Sequence, residues 1–168
     1  MKSPLEYQLS EYDCGPITVY NALKYLFFRT EIFPKVIKET MKTTLDLDRQ
    51  GTSLKAMKKL MTSLPKKLPL KVKSYYQNKV TKDILEETLK KKGVVILRTR
   101  LFVEHYVLVT GYDKMWYYLW DPYYMTKKVY QHKNIQIVKN NFGYNRKVKR
   151  NYFLSSKKDD FTLGIVNT

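Results

Sequence analysis

Gln8-Leu9-Ser10-Glu11-Tyr12-Asp13-Cys14-Gly15-Pro16 holds the only cysteine of the 168-residue chain, directly ahead of a stretch that reads as a helix. Within residues 15–29, Ile17, Tyr20, Leu23 and Phe27 recur at helical spacing, with Ala22 less well placed. Pro16 is tolerated in the first turn, where its missing N–H would have no intrahelical partner. Asp13 or Cys14 then lies near the N-cap. A thiol at a helix start is where a nucleophile is expected, because unpaired N–H groups and aligned peptide dipoles favour thiolate over thiol.

A cysteine nucleophile needs a base and a group that orients the base. The chain has two histidines. His105 lies in Glu104-His-Tyr-Val-Leu-Val-Thr-Gly111, which alternates like a strand, with Val107 and Val109 on its side and Tyr106 and Leu108 on the other. Asp121 follows in Leu119-Trp-Asp-Pro122. Each has an ordinary reading when taken alone: His105 as a core histidine, Asp121 as a turn former before proline, Gln8 as a surface residue. His132 has no cysteine, acid or second histidine at ligand spacing, so it reads as a loop residue and no metal site is expected.

Outward from the cysteine, a second helix is expected over 34–43. A third starts after Gly51, with Thr52 or Ser53 as cap and Leu54, Met57, Leu60 and Met61 on one face. After Pro65 and Pro69 the pattern changes, and 70–76 alternates like a strand. Residues 81–93 carry a Thr cap, an early acid, late lysines and a terminal Gly93, the signals of a complete helix. Strands are expected at 94–99, 104–111 and 116–120, with a further pair near 126–130 and 150–154. Residues 131–142 fit helix or loop. Helices first and strands afterwards argue for an α+β fold rather than a doubly wound sheet, in a single domain spanning 1–168.

Thirty-two Lys and Arg against fifteen Asp and Glu give a formal charge of +17, a field that favours anionic partners. Scattered solvated lysines, such as Lys55, Lys58 and Lys59, account for it without any specific partner. One cysteine excludes an internal disulfide. No apolar amino-terminal region or 18-residue apolar run is present, so neither a signal peptide nor a membrane span is expected, and the location expected is cytoplasmic. Residues 139–150 are basic with interleaved aromatics, a pattern of single-strand nucleic-acid surfaces. A Gly-Tyr-Asn turn between strands explains it as well, and nucleic acid is not the expected partner.

Taken together, Gln8-x-x-x-x-Asp13-Cys14-Gly15, His105-Tyr-Val-Leu-Val and Asp121-Pro122 resemble the papain-like cysteine peptidases that remove double-glycine leaders from bacteriocin precursors. The order and spacing of all four positions are compatible with that family. The resemblance implies a papain-like fold, with the nucleophile helix packed on a mostly antiparallel sheet from the carboxy-terminal half. It also implies that Cys14 attacks the scissile carbonyl, that His105 is the base and later the acid, and that Asp121 holds the imidazole. The Gln8 amide and the Cys14 N–H would then form the oxyanion hole. Pro16 and Ile17 stand where the exporter-fused enzymes have small residues, which points to the stand-alone branch.

The implied function is hydrolysis of a peptide bond in a peptide or small-protein precursor, as in leader removal after a Gly-Gly step, without a cofactor. The partners implied are that peptide, for which an acidic sequence would suit the charge, and a separate ABC exporter. Two alternatives stand beside it: a catalytically idle domain that binds a peptide partner, and a related thiol acyltransferase or amidase.

Overall fold

Strands from residues 70–165 build one seven-stranded sheet, six of them from the carboxy-terminal half, and helices are laid on both of its faces. In this computed structural model the residues described are 5–8, 14–27, 53–75, 80–101, 105–126, 131–139 and 141–165, with backbone only for 155–163 and 165. In chain order these form α1 (Cys14–Leu26), α2 (Leu54–Ser63), a 3-10 turn at Leu64–Lys66, β1 (Leu70–Tyr75), α3 (Lys82–Lys90), β2 (Val94–Thr99), β3 (His105–Tyr112), β4 (Trp116–Trp120), β5 (Ile135–Ile137), β6 (Arg146–Lys149), α4 (Arg150–Ser156) and β7 (Lys157–Ile165). The sheet order is β1-β7-β2-β3-β4-β6-β5. Every pairing is antiparallel, so the α+β reading and the antiparallel sheet both hold.

Alternation along the central strands sorts the core into two layers. Val94 and Ile96 of β2, Tyr106 and Leu108 of β3 and Trp120 of β4 face one side, where they meet Val19, Leu23 and Leu26 of α1 and Met57, Leu60 and Met61 of α2. Val95, Leu97, Val107, Val109, Tyr117 and Leu119 face the other, against Leu85 of α3 and Phe153 of α4. Burying each large aliphatic or aromatic side chain stabilises the fold by about 1.5–3 kcal/mol, and fully buried side chains from all these elements contribute. Helix α1 is thus clamped to the middle of the sheet, over β3, β2 and β7.

Local signals hold at the caps. Ser53 accepts from the Ala56 N–H at 3.1 Å and Thr81 from the Ile84 N–H at 3.3 Å. The end of α3 differs from the glycine stop expected there. Lys92, not Gly93, takes the left-handed position (φ 60°), while the Gly93 N–H reaches Thr88 O and the Lys92 N–H reaches Leu89 O. That bond pattern is the Schellman motif, shifted one residue ahead of its glycine.

Other differences are tertiary in origin. The strand expected at 150–154 is helical: Phe153 is fully buried with its ring 5.2 Å from Tyr117, and that packing overrides the β-propensity of Tyr152 and Phe153. Within 131–142, which fitted helix or loop, Ile135–Ile137 is an edge strand. Strand β7, between β1 and β2, had no sequence signal, since it opens Lys-Lys-Asp-Asp. Helix α1 stops at Leu26, short of residue 29. The helix expected at 34–43 and the strand near 126–130 fall outside the described residues, apart from residue 126 itself.

Candidate active site

His105 opens β3 and Asp121 follows the last residue of β4. Leu108 pairs with Trp120 across these antiparallel strands, which brings the two residues to the same end of the sheet. His105 Nε2 lies 2.9 Å from both Oδ1 and Oδ2 of Asp121. An ionised carboxylate only accepts, so Nε2 carries the proton and Nδ1 holds the basic lone pair. Both residues are buried, at 7 % exposure each, so little water screens the pair.

Asp121 stays ionised despite its burial. Desolvation pushes its carboxyl up, but the charge and hydrogen bond of His105, the charge of Arg146 and the Tyr123 N–H outweigh it, and it sits below the usual carboxylate range. The Tyr123 N–H donates to Oδ1 at 2.9 Å.

Asn145 and Arg146, which in sequence belong only to the basic segment 139–150, hold the chain around the aspartate. The Asn145 side chain brackets Asp121: its Oδ1 accepts from the Asp121 N–H at 2.8 Å and its Nδ2 donates to the Asp121 carbonyl at 2.7 Å. Arg146, only 3 % exposed, donates to the carbonyls of Asn145 and Tyr123 at 2.9 Å each, so a buried cation closes the turn after the aspartate. Their signal in sequence was that of a turn followed by a basic strand, which carries no hint of this role.

The other half of the set comes from the amino-terminal end. Cys14, 8 % exposed, is the first residue of α1, so the dipole argument for its thiolate applies. Asp13, the alternative cap, lies outside the described residues. The hydroxyl of Thr18, one turn on, donates to Cys14 O at 2.6 Å and also reaches Tyr106 O at 3.3 Å. One side chain thereby ties the first turn of α1 to the residue next to His105.

Gln8 belongs to an extended segment held on both sides. Its N–H donates to Pro122 O at 2.8 Å, immediately after Asp121. Two residues earlier, the N–H and carbonyl of Glu6 are bracketed by the fully buried Asn21 side chain at 2.7 and 2.9 Å, and the same carbonyl accepts from Trp120 Nε1 at 3.0 Å. The Glu6 carboxylate pairs with Lys24 at 2.9 Å. All four residues singled out in the sequence are therefore attached, directly or through one intermediary, to the adjoining ends of β3 and β4. His132 stands apart from this set: its Nδ1 accepts from the Asn134 N–H at 3.1 Å and its ring lies 4.9 Å from that of Tyr152.

Aromatic rings flank the site. Tyr7 packs against Trp120 at 5.3 Å and edge-on to Tyr124 at 5.1 Å. Tyr123 and Tyr124, just past the Asp-Pro step, are exposed. Tyr117 and Trp120 lie in the core, and these two lie at its rim.

A helix carrying cysteine at its start, packed on an antiparallel sheet that carries a His–Asp pair, is the papain-like peptidase arrangement. Within that class the chain belongs to the Peptidase_C39 like family, whose model matches residues 2–150. No curated protein sequence matches it. Among solved structures it is similar to a double glycine motif protease from an AMS/PCAT transporter in complex with the leader peptide, with TM-score 0.57, 17 % identity, and 98 % of this chain and 91 % of that one covered. It is also similar to the peptidase domain of Streptococcus ComA, a bi-functional ABC transporter involved in quorum sensing, with TM-score 0.57, 16 % identity, and 96 % and 98 % covered. The Streptococcus mutans ComA peptidase domain follows with TM-score 0.50 and 14 % identity, covering 96 % and 99 %. At these identities the likeness establishes the fold.

Proposed function

We propose that this chain, folded as one peptidase domain, is a cysteine peptidase that cleaves a peptide bond in a peptide or small-protein precursor. The observation that carries the reading is the buried His105–Asp121 pair, with Nε2 held by both carboxylate oxygens. That contact fixes the tautomer in which Nδ1 accepts the Cys14 proton. The Cys14 thiolate attacks the scissile carbonyl, and the tetrahedral oxyanion is stabilised by the Gln8 side-chain amide and the Cys14 N–H. His105 then protonates the leaving amine, and a thioester remains on Cys14. Water, deprotonated by His105, hydrolyses the thioester and restores the thiol.

The solved relatives include a double glycine motif protease bound to its leader peptide, and we propose that this chain removes a leader after a Gly-Gly step, working with an ABC exporter. The test is incubation with a precursor containing such a step and mass spectrometry of the products. A single cut after Gly-Gly, lost on Cys14→Ala, supports the reading. Binding of the precursor with neither cleavage nor alkylation of Cys14 by iodoacetamide assigns the chain to idle peptide binding. Transfer of the acyl group to an added amine in preference to water assigns it to acyl transfer.

A further inference from the structure

The described residues do not cover the α1 face of the sheet uniformly. Among the described residues, α1 and α2 pack over β1, β7, β2 and β3, whereas the same face of β4 and β6 carries Trp116, Tyr118, Lys147 and Lys149. Lys149 is exposed and the other three are half-buried. The register sets them in two rungs, Trp116 opposite Lys149 and Tyr118 opposite Lys147. Each ammonium lies over the ring of its rung, at 5.9 Å for Lys149 on Trp116 and 5.5 Å for Lys147 on Tyr118.

The platform is built into the sheet. Thr110 is an extra residue in the β3–β4 register, which turns Gly111 towards the same face as Tyr118. A Cβ on Gly111 would stand 3.1 Å from Tyr118 Cδ2, so the absence of a side chain there lets the tyrosine ring lie close over β3. Tyr144 stacks on that ring at 4.6 Å. Asp113, the nearby acid, is engaged by the Tyr118 hydroxyl and the N–H groups of Met115 and Trp116. The Lys147 charge helps to hold the Asp113 carboxyl below its ordinary value, and neither lysine forms a close ion pair among the described residues.

We propose that this face docks an acidic segment of the peptide that the site cleaves, an inference that rests on the peptidase reading above. Two rungs lie about 7 Å apart along a strand, the spacing of alternate side chains in an extended chain, so successive carboxylates at i and i+2 match the two ammoniums. The net charge of +17 draws such a segment in. The strand that carries the two rings, β4, ends at Trp120, next to Asp121. A nucleic acid fits less well, because base stacking needs open ring faces and here lysines and Tyr144 already occupy them.

The experiment uses two Gly-Gly peptides that differ only in a flanking run of four Glu or four Gln, with the full chain. Binding is read on the Cys14→Ala variant and cleavage on the active protein. The acidic peptide binds roughly three- to tenfold more tightly than its Gln twin, with an advantage that fades in salt. In K147E/K149E the advantage disappears and KM for the acidic peptide rises, while kcat and the KM of the Gln twin stay unchanged; K147Q/K149Q gives the same pattern at smaller size. Equal affinity for the two peptides, or discrimination that survives both double variants, overturns the docking face and leaves peptidase activity standing. Discrimination without cleavage by the active protein sinks the peptidase reading instead. A labelled oligothymidine that outcompetes the acidic peptide and is itself lost in K147E/K149E reassigns the face to nucleic acid and overturns the proposal.

Discussion

The two arms of the candidate site are held by different physics. The sheet arm presents His105 and Asp121 from paired strands, and the two side chains touch directly in a buried, charged contact. The amino-terminal arm presents Gln8 and Cys14 from a segment and a helix start; besides the core packing of α1, Thr18, Trp120 and the Gln8 N–H tie it to the sheet by single hydrogen bonds, and Asn21 ties the Gln8 segment to α1. A ladder fixes geometry cooperatively, so the His–Asp pair is set once the register is set. The other arm adds to the packing of α1 a few discrete staples, and a single substitution at Thr18, Asn21 or Trp120 removes one of them.

Both arms meet in the chemistry, so the largest effect should not distinguish them. Cys14→Ala and His105→Ala are each expected to lower kcat by about 10⁴-fold or more with the fold retained, read by precursor cleavage and circular dichroism. A residual activity within tenfold of the parent for either would separate the arms and remove the proposed mechanism. Gln8→Ala, acting only on the oxyanion, is expected to lower kcat by about 10²–10³-fold with little change in KM.

Asp121→Asn sharpens the comparison by acting on the sheet arm through charge. It is expected to lower kcat by about 10⁴-fold, by analogy with other catalytic aspartates that fix a tautomer, and to destabilise the fold at neutral pH by leaving Arg146 without its nearby carboxylate. Because Asp121 titrates below its ordinary value in the fold, the unfolded chain takes up the proton first on acidification. Its contribution is complete above about pH 4 and is lost as pH falls through the lower folded value. Urea midpoints of parent and variant should therefore converge below pH 4; a constant gap down to pH 2 would show that the carboxylate is not held charged.

The staples are compared by Asn145→Ala and Asn21→Ala. Each removes an amide that brackets one residue's backbone and leaves buried polar groups unpaired, so each should cost about 1–3 kcal/mol in chemical denaturation. They should differ in activity: Asn145→Ala moves Asp121 and shifts the pH profile of kcat/KM, whereas Asn21→Ala moves the Gln8 segment and lowers kcat without that shift. Smallest is Lys92→Gly, far from both arms. Relieving the left-handed backbone at φ 60° should stabilise the protein by about 1 kcal/mol and leave turnover unchanged.

Helices α2 and α3 were legible because Ser53 and Thr81 cap their own chains, and β2 to β4 because their apolar alternation meets a core on each face. The candidate quartet was legible because each member sits in a short motif of its own. The supports were not legible. Asn145 reads as a turn residue and Arg146 as a solvated charge until β6 is paired with β4, and Phe153 reads as a strand residue until Tyr117 is beside it.

By itself, then, the sequence determined the α+β class, the capped helices, the central strands and the identity of the four candidate residues, since those are properties of neighbours along the chain. The order of the sheet, with β7 between β1 and β2, was decided only in three dimensions. So were the brackets on Glu6 and Asp121 and the pairing of Trp116 and Tyr118 with Lys149 and Lys147 on β4 and β6. These join residues more than a dozen positions apart, and no local pattern encodes which distant groups will share a hydrogen bond.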